Sequence, residues 1–322
     1  MRGEAKAGTM TRYLVARLAW IIPVWLLISI VAFGLSGLAP GNAAEIVLYR
    51  QAGEPPTEDA VRALSKRLGL EGPLPVRYGR WLGRAVTGDL GRSFRTGESV
   101  LQSLAGGFPR TLLLALTAIV IALVVSLPLG AVAALRRGGA IDRIARLLIL
   151  GLSSLPSFWL GYLLIFALAV RLRLLPVAGY GGPQHLILPA VTLAAGALAS
   201  MTRLSRASFL DVLSQEYIRT ARAKGLSVAA ALLRHGFRNA LVPILAIAAL
   251  RFGQLLTGAV IVETIFAWPG IGRLMVDSVF DRDYPVIQGY VLLTGTVFVV
   301  LNTLVDLGYA WLDPRIRRPV AR

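Results

Sequence analysis

The fold of this chain is restricted most by a series of long apolar runs, each bounded by polar and basic residues. Of the 322 residues, 56% are hydrophobic and only 16% are charged, whereas a soluble domain has about 25% charged residues. A run of about 20 apolar residues is long enough to cross the hydrocarbon core of a bilayer as a helix. The sequence therefore predicts an all-α, polytopic membrane protein.

About six runs are long enough for a membrane span. They lie at about residues 13–35, 111–135, 147–170, 186–204, 240–262 and 286–311. The segments 136–146, 203–238 and 315–322 are rich in arginine, and the positive-inside rule places such segments in the cytoplasm. Because the number of spans is even, both termini are predicted to be cytoplasmic.

The net charge is +17, with 34 Lys and Arg against 17 Asp and Glu. A basic chain can bind nucleic acid, but here the positive residues flank apolar runs. We therefore interpret them as markers of membrane topology and predict no nucleic-acid partner. The chain has no cysteine, and its two histidines are far apart in sequence, so neither a disulfide framework nor a metal site is predicted.

A polar stretch at 37–107 separates the first two runs and is predicted to be a small helical insertion on the extracytoplasmic side. Thr57 precedes two acidic residues and an apolar stripe, which predicts a helix that ends at Gly69. A second helix is predicted from Pro75 to about Val86. The predicted domains are listed here: 1–36, the N-terminus and first span; 37–107, the insertion; 108–322, the core with the other five spans.

The basic segment between the fourth and fifth runs, about residues 205–238, is predicted to contain two short helices. Ser214 is predicted to cap the first helix, and Gly225 to end it with a positive φ. The second helix is predicted from Val228 to about Arg238. Such a rigid pair could dock in a groove of a soluble partner, and the alternative is a basic loop that contacts anionic lipid.

The sequence of this segment resembles a known motif. Residues 216–227 read Glu-Tyr-Ile-Arg-Thr-Ala-Arg-Ala-Lys-Gly-Leu-Ser, which is similar to the EAA coupling loop of binding-protein-dependent ABC importer permeases. Further motifs lie at 88–93, 154–159, 262–270, 282–285 and 312–315. In this order over this topology, they resemble the dipeptide/oligopeptide/nickel permease family and the "B" member of its permease pair.

The resemblance implies a type I ABC importer permease fold in the bacterial cytoplasmic (inner) membrane. It implies four kinds of partner: a sister permease, two ATP-binding subunits, an extracytoplasmic solute-binding protein and the lipid bilayer. The residues expected to couple the chain to the ATPase are Glu216, Tyr217, Arg219, Thr220, Ala221, Ala223, Lys224, Gly225, Leu226 and His235. One departure is that Arg219 occupies the acidic position of the general Glu-Ala-Ala pattern when the motif is aligned on Gly225.

No catalytic role is predicted for this chain. It has no Gly-x-x-x-x-Gly-Lys-Ser/Thr pattern, so ATP and Mg are expected to bind to the partner ATPase subunits, and no cofactor is expected here. The resemblance implies import of di- or oligopeptides, with nickel or another small solute as the alternative within the family. An alternative from another class is a secondary transporter driven by an ion gradient, which often shows inverted repeats and midplane acidic residues. A structural or signalling membrane subunit is a further alternative.

A single basic residue, Arg251, lies near the middle of the fifth run, with Gln254 one turn further on. A charge at the centre of a membrane helix costs about 2.5–3.5 kcal/mol on insertion scales, so it is expected to face a cavity or a polar partner. Our hypothesis is that both residues line a solute pathway and that Arg251 attracts an anionic group such as a peptide carboxylate. The alternative is that Arg251 pairs with another group within the complex.

Overall fold

A computed structural model describes residues 21–34, 43–140, 142–144, 147, 151 and 155–312. The helices of this part, in chain order, are α1 (Ile21–Gly34), α2 (Ala43–Ala52), α3 (Glu58–Arg67), α4 (Leu74–Val86), α5 (Val100–Leu135), α6 (Ser157–Arg171), α7 (Pro183–Leu213), α8 (Glu216–Ala223), α9 (Val228–Ile265), α10 (Ile271–Phe280) and α11 (Tyr284–Leu312). An isolated bridge between Arg92 and Ser99 is the only β pairing among these residues. The predicted all-α class is confirmed.

Among the described residues, four helices, α5, α7, α9 and α11, are long and apolar enough to cross a membrane. The shorter apolar helices α1 and α6 coincide with the first and third predicted spans. Each predicted span therefore overlaps one apolar helix, as a polytopic membrane protein requires. The beginnings of the first and third spans, the N-terminal arginines and the basic tail lie outside the described residues.

Two of these helices extend well beyond their predicted spans. Helix α5 begins at Val100 and continues through Pro109, and α7 continues to Leu213. Hydropathy detects only the part of a helix that is apolar on all sides, whereas these extensions are amphipathic. In α7, for example, Ser205, Phe209 and Val212 are buried at helical spacing.

The described residues divide into two compact units: those that lie within 1–108, 274–303 and 310–322, and those that lie within 109–273 and 304–309. In the first unit, α3 begins after Thr57, whose Oγ1 accepts a hydrogen bond from the amide of Ala60 at 3.4 Å. Gly69 has φ +67° after the helix end, as predicted. The helix Leu74–Val86 also lies where one was predicted, whereas α2 was not predicted.

One acidic side chain of the first unit, that of Asp283, accepts several hydrogen bonds immediately before α11. Its carboxylate accepts hydrogen bonds from the Ser93 hydroxyl and from the amide of Phe94 at 2.9 Å. Arg95 forms an ion pair with Asp281 at 3.1 Å. The motif at 88–93 thus leads into a loop that holds the start of the last span.

In the second unit, a buried ion pair joins the segment after α5 to α7. Asp142 is fully buried and accepts bonds from Nε and NH2 of Arg206 at 2.8 and 2.9 Å. The amide of Gly138 donates to the same carboxylate at 3.0 Å. Gly130 permits the close approach of α5 and α7, because a Cβ there would lie 2.5 Å from the Cβ of Ser205.

Candidate functional site

The short helix α8 lies between two membrane helices, where the sequence predicts it, but its start differs from the prediction. Ser214 does not cap it: this residue ends α7, with φ −82° and ψ −9°, and its hydroxyl donates to the carbonyl of Asp211 at 2.7 Å. Gln215 is the N-cap residue and makes no side-chain capping bond. The prediction was wrong because α7 is longer than its apolar run and includes Ser214 in its last turn.

One face of α8 is buried in a hydrophobic cluster, which we term the anchor cluster. Ile218 and Ala221 are the members of this cluster on α8. Its other buried members are Ala134, Phe209, Val212, Ala231, Leu232, Ala240 and Ile244. The cluster thus joins α8 to α5, α7 and α9.

A glycine on α9 makes this packing possible. A Cβ at Gly236 would lie 2.5 Å from Cγ1 of Val212 and 3.5 Å from Cδ1 of Ile218, so a larger side chain would separate these groups. The sequence analysis did not identify Ile218 or Gly236 as functional residues. For Ile218, a signal was present in the sequence: Ile218 and Ala221 are apolar residues three positions apart on a basic helix, which indicates a buried face.

Helix α8 ends as predicted, with Gly225 at φ +93°. The next helix is not a separate short element, which corrects the prediction of a helix ending near Arg238. It begins after Ser227, whose hydroxyl accepts from the amide of Ala230 at 3.2 Å. It passes through a π-helical segment, Leu232–Gly236, and continues without a break to Ile265.

The exposed face of α8 carries most of the residues that the resemblance indicated. The exposed members are Glu216, Tyr217, Arg219, Thr220, Ala223, Lys224 and Gly225. Arg219 pairs with Glu216 at 2.7 Å, and both side chains are exposed, so this pair adds little stability. The predicted residues outside this face are Ala221, which is buried, Leu226, which packs partly against the anchor cluster, and His235, which is exposed on α9.

A hydrogen bond also joins α8 to α9 outside the anchor cluster. The Tyr217 hydroxyl accepts from Nδ2 of Asn239 at 3.0 Å. Beside it, Arg219 and Arg222 line a shallow depression with Leu226 and Ser227. The turn between the two helices therefore presents a firm, basic surface.

The motif at 262–270 contains a second buried acid, Glu263, which accepts hydrogen bonds from two other segments. Its Oε1 accepts from the hydroxyl of Thr111 at 2.6 Å, and its Oε2 accepts from the amide of Arg273 at 3.0 Å. Nε1 of Trp268 donates to the carbonyl of Arg110 at 3.1 Å. These bonds fasten the turn after α9 to α5.

The two residues predicted to line a pathway are in contact. NH1 of Arg251 donates to Oε1 of Gln254 at 2.7 Å. Gln254 is exposed and Arg251 is partly exposed. Gln254 lies on the exposed side of α9, and Arg251 lies at its border, one turn from the buried Ala248 and Leu255.

Together, these features define a polytopic helical membrane protein in which a short, firmly anchored helix joins two spans. A family model described as "Binding-protein-dependent transport system inner membrane component" matches residues 126–318. The N-terminal model, "Binding-prot-dependent transport system membrane comp, N-term", matches residues 10–115. The chain belongs to this family and is an inner-membrane permease subunit of an ABC importer.

Curated relatives are similar over nearly the whole chain. The glutathione transport system permease protein GsiC of Escherichia coli O6:H1 (strain CFT073) is 41% identical over 308 residues, which covers 96% of this chain and 99% of the relative. GsiC of Escherichia coli (strain K12) is 40% identical with the same coverage. A solved structure of the MetNI methionine ABC transporter, in inward-facing conformations, has a TM-score of 0.54 at 20% identity and covers 69% of this chain and 98% of that chain. The latter is a likeness of fold.

Proposed function

We propose that this chain forms half of a translocation pathway for di- or oligopeptides and that α8 couples this pathway to separate ATPase subunits. The observation that carries the proposal is the two-sided character of α8. Ile218 and Ala221 hold one face in the anchor cluster, while the other face, from Glu216 to Lys224, is exposed. Such a helix can enter a groove on a soluble partner without losing its attachment to the spans.

The attachment matters because α8 has only eight residues. Helices shorter than about 12–15 residues are marginal in water, so α8 depends on the anchor cluster for its form. A force on its exposed face is therefore transmitted to the ends of α7 and α9. In our proposal, ATP binding closes the partner ATPases, displaces α8 and shifts the spans between inward- and outward-facing arrangements.

In this proposal, Glu216 compensates for the basic residue, Arg219, at the acidic position of the general motif. Arg219 takes the usual acidic position, and Glu216, one turn earlier, neutralises it at 2.7 Å. The acid needed for a contact with a basic partner residue is then Glu216, displaced by three positions along the same face. Glu216, Arg219, Thr220 and Lys224 are the side chains that we expect to touch the ATPase.

We further propose the partners and topology that the family pattern implies. These are a sister permease, two ATP-binding subunits that hold ATP and Mg, and an extracytoplasmic solute-binding protein. Both termini and α8 would be cytoplasmic, and residues 37–107 would be a separate extracytoplasmic insertion. Two relatives are named as glutathione permeases, and glutathione is a tripeptide, which favours a peptide over nickel or another small solute.

The test is uptake by proteoliposomes that contain this chain, its sister permease, the ATPases and the binding protein. We expect uptake of radiolabelled glutathione or another tripeptide that requires both ATP and the binding protein. Gly225→Ala and Glu216→Ala should each reduce co-purification of the ATPases. Uptake driven by an ion gradient with the ATPases absent would instead establish a secondary transporter and refute the proposal.

A further inference from the structure

The middle of α9 carries a polar strip, which we define as Arg251, Gln254, Thr257 and Gly258. Gln254, Thr257 and Gly258 are exposed, and Arg251 is partly exposed. Arg251 is fourteen residues from each end of the α-helical part, Phe237–Ile265, which is about 21 Å at 1.5 Å per residue. The strip is therefore at the depth of the bilayer centre when this helix crosses the membrane.

The exposed face of α5 provides the contrast within the same unit. Between residues 111 and 132, every exposed residue of α5 is apolar: Leu113, Leu116, Val120, Val124, Val125, Pro128, Leu129 and Val132. Such a surface is suited to lipid. The polar strip of α9 is not suited to lipid, because placing an arginine at the bilayer centre costs about 2.5–3.5 kcal/mol. The polar strip is therefore expected to meet water, a polar ligand or a polar group of a partner chain.

The hydrogen bonding of Arg251 leaves one side of the guanidinium available. NH1 donates to Gln254, and no described residue accepts from Nε or NH2 or forms an ion pair with Arg251. The Nε and NH2 donors are parallel, which matches the two oxygens of a carboxylate. Gly258, two turns further along α9, leaves open space on this side of the helix, because a Cβ at this position would have no atom within 4 Å.

We propose that Arg251 binds a carboxylate of the transported solute within the spans, and that Gln254 fixes the guanidinium in the orientation for a bidentate contact. The inference rests on the proposed import function and names the chemical group that the pathway recognises. Thr257 and Gly258 form the neighbouring wall, which is small enough to leave room for the rest of the solute. Recognition of one carboxylate is also compatible with release, since only one ion pair has to be broken.

The first test uses the absence of cysteine from the chain. In the assembled importer, Gly258→Cys should react with both an anionic (sulfonatoethyl) and a cationic (trimethylammonioethyl) methanethiosulfonate. We expect Arg251→Gln to lower the ratio of anionic to cationic rates by about tenfold, since loss of the positive charge removes the attraction. Val124→Cys, on the apolar face of α5, is the control and should react with neither reagent. An unreactive Gly258→Cys, or a ratio unchanged by Arg251→Gln, would overturn the inference.

The second test compares uptake of a tripeptide with a free C-terminal carboxylate and of its C-terminal amide. Each rate is divided by that of the unaltered chain, so that differences in delivery by the binding protein cancel. Arg251→Gln should lower the relative uptake of the acid at least tenfold more than that of the amide, and Arg251→Lys should recover part of the loss. Equal losses for both peptides would refute carboxylate binding. If the unaltered chain shows no ATP-dependent uptake of either peptide, the proposed function itself fails.

Discussion

Replacing Ile218 by alanine should detach α8 from the spans while leaving the membrane helices in place. Ile218 is 1% exposed and packs in the anchor cluster. Truncation of a buried isoleucine to alanine costs about 2–5 kcal/mol. Because α8 has only eight residues, its remaining attachments are Ala221, the other cluster member, and the Tyr217–Asn239 hydrogen bond. A loss of about 3 kcal/mol corresponds to a roughly 150-fold increase in the undocked population.

The assay is thiol exposure in the cysteine-free chain. Ala221→Cys places a reporter on the buried face of α8, and its reaction with a soluble maleimide measures undocking. Ile218→Ala should accelerate this reaction by about two orders of magnitude and reduce transport per ATP hydrolysed. Thr220→Ala, on the exposed face, is the control and should leave the thiol rate unchanged. A thiol rate that Ile218→Ala does not alter would show that the anchor cluster does not hold α8.

Three further substitutions test other parts of the structure. Gly225→Ala meets no atom within 4 Å but must adopt φ +93°, so we expect a cost of about 1–2 kcal/mol and a faster reaction of the same buried thiol. Asp142→Asn breaks the buried ion pair with its arginine partner and should destabilise the purified protein by about 3–5 kcal/mol, measured as a lower thermal unfolding temperature in detergent. Gly270→Ala would place a Cβ 2.2 Å from Oε1 of Glu263 and should cost about 1–3 kcal/mol, measured by faster proteolysis. Gly196→Ala, with no atom within 4 Å, is its control and should be neutral or slightly stabilising.

The sequence predicts the spans well because the bilayer makes a strong local demand. A soluble fold rarely contains about 20 consecutive apolar residues, and each predicted span overlaps an apolar helix. Arg251 and Gln254 were singled out by the same argument, since one arginine in an apolar run is costly wherever it lies, and their role in a pathway stays a prediction. The end of α8 at Gly225, with a positive φ, was predictable because glycine adopts positive φ without steric cost.

The helix ends and the anchor were not predictable, because they depend on residues distant in the sequence. Ser214 has the chemistry of an N-cap, yet α7 continues to Leu213 and Ser214 is the C-cap of that helix. Val228 starts a helix that continues into the fifth span because Ala231 and Leu232 are buried in the anchor cluster. Gly236 shows its importance only when Val212 and Ile218 are seen on either side of it.

Because α9 is unbroken from Val228 to Ile265, a tilt of this helix would move both of its ends, and Arg251, which we propose to bind the solute, lies between them. The 38 residues of α9 extend about 57 Å, from the turn beside α8 to the end at which Glu263 accepts hydrogen bonds from Thr111 and Arg273. If α9 tilts about a point close to Arg251, the two ends of the helix move in opposite directions, while the guanidinium of Arg251 hardly moves. A displacement of the end of α9 beside α8 would then close the pathway on one side of the membrane and open it on the other, while the bound solute stays in place.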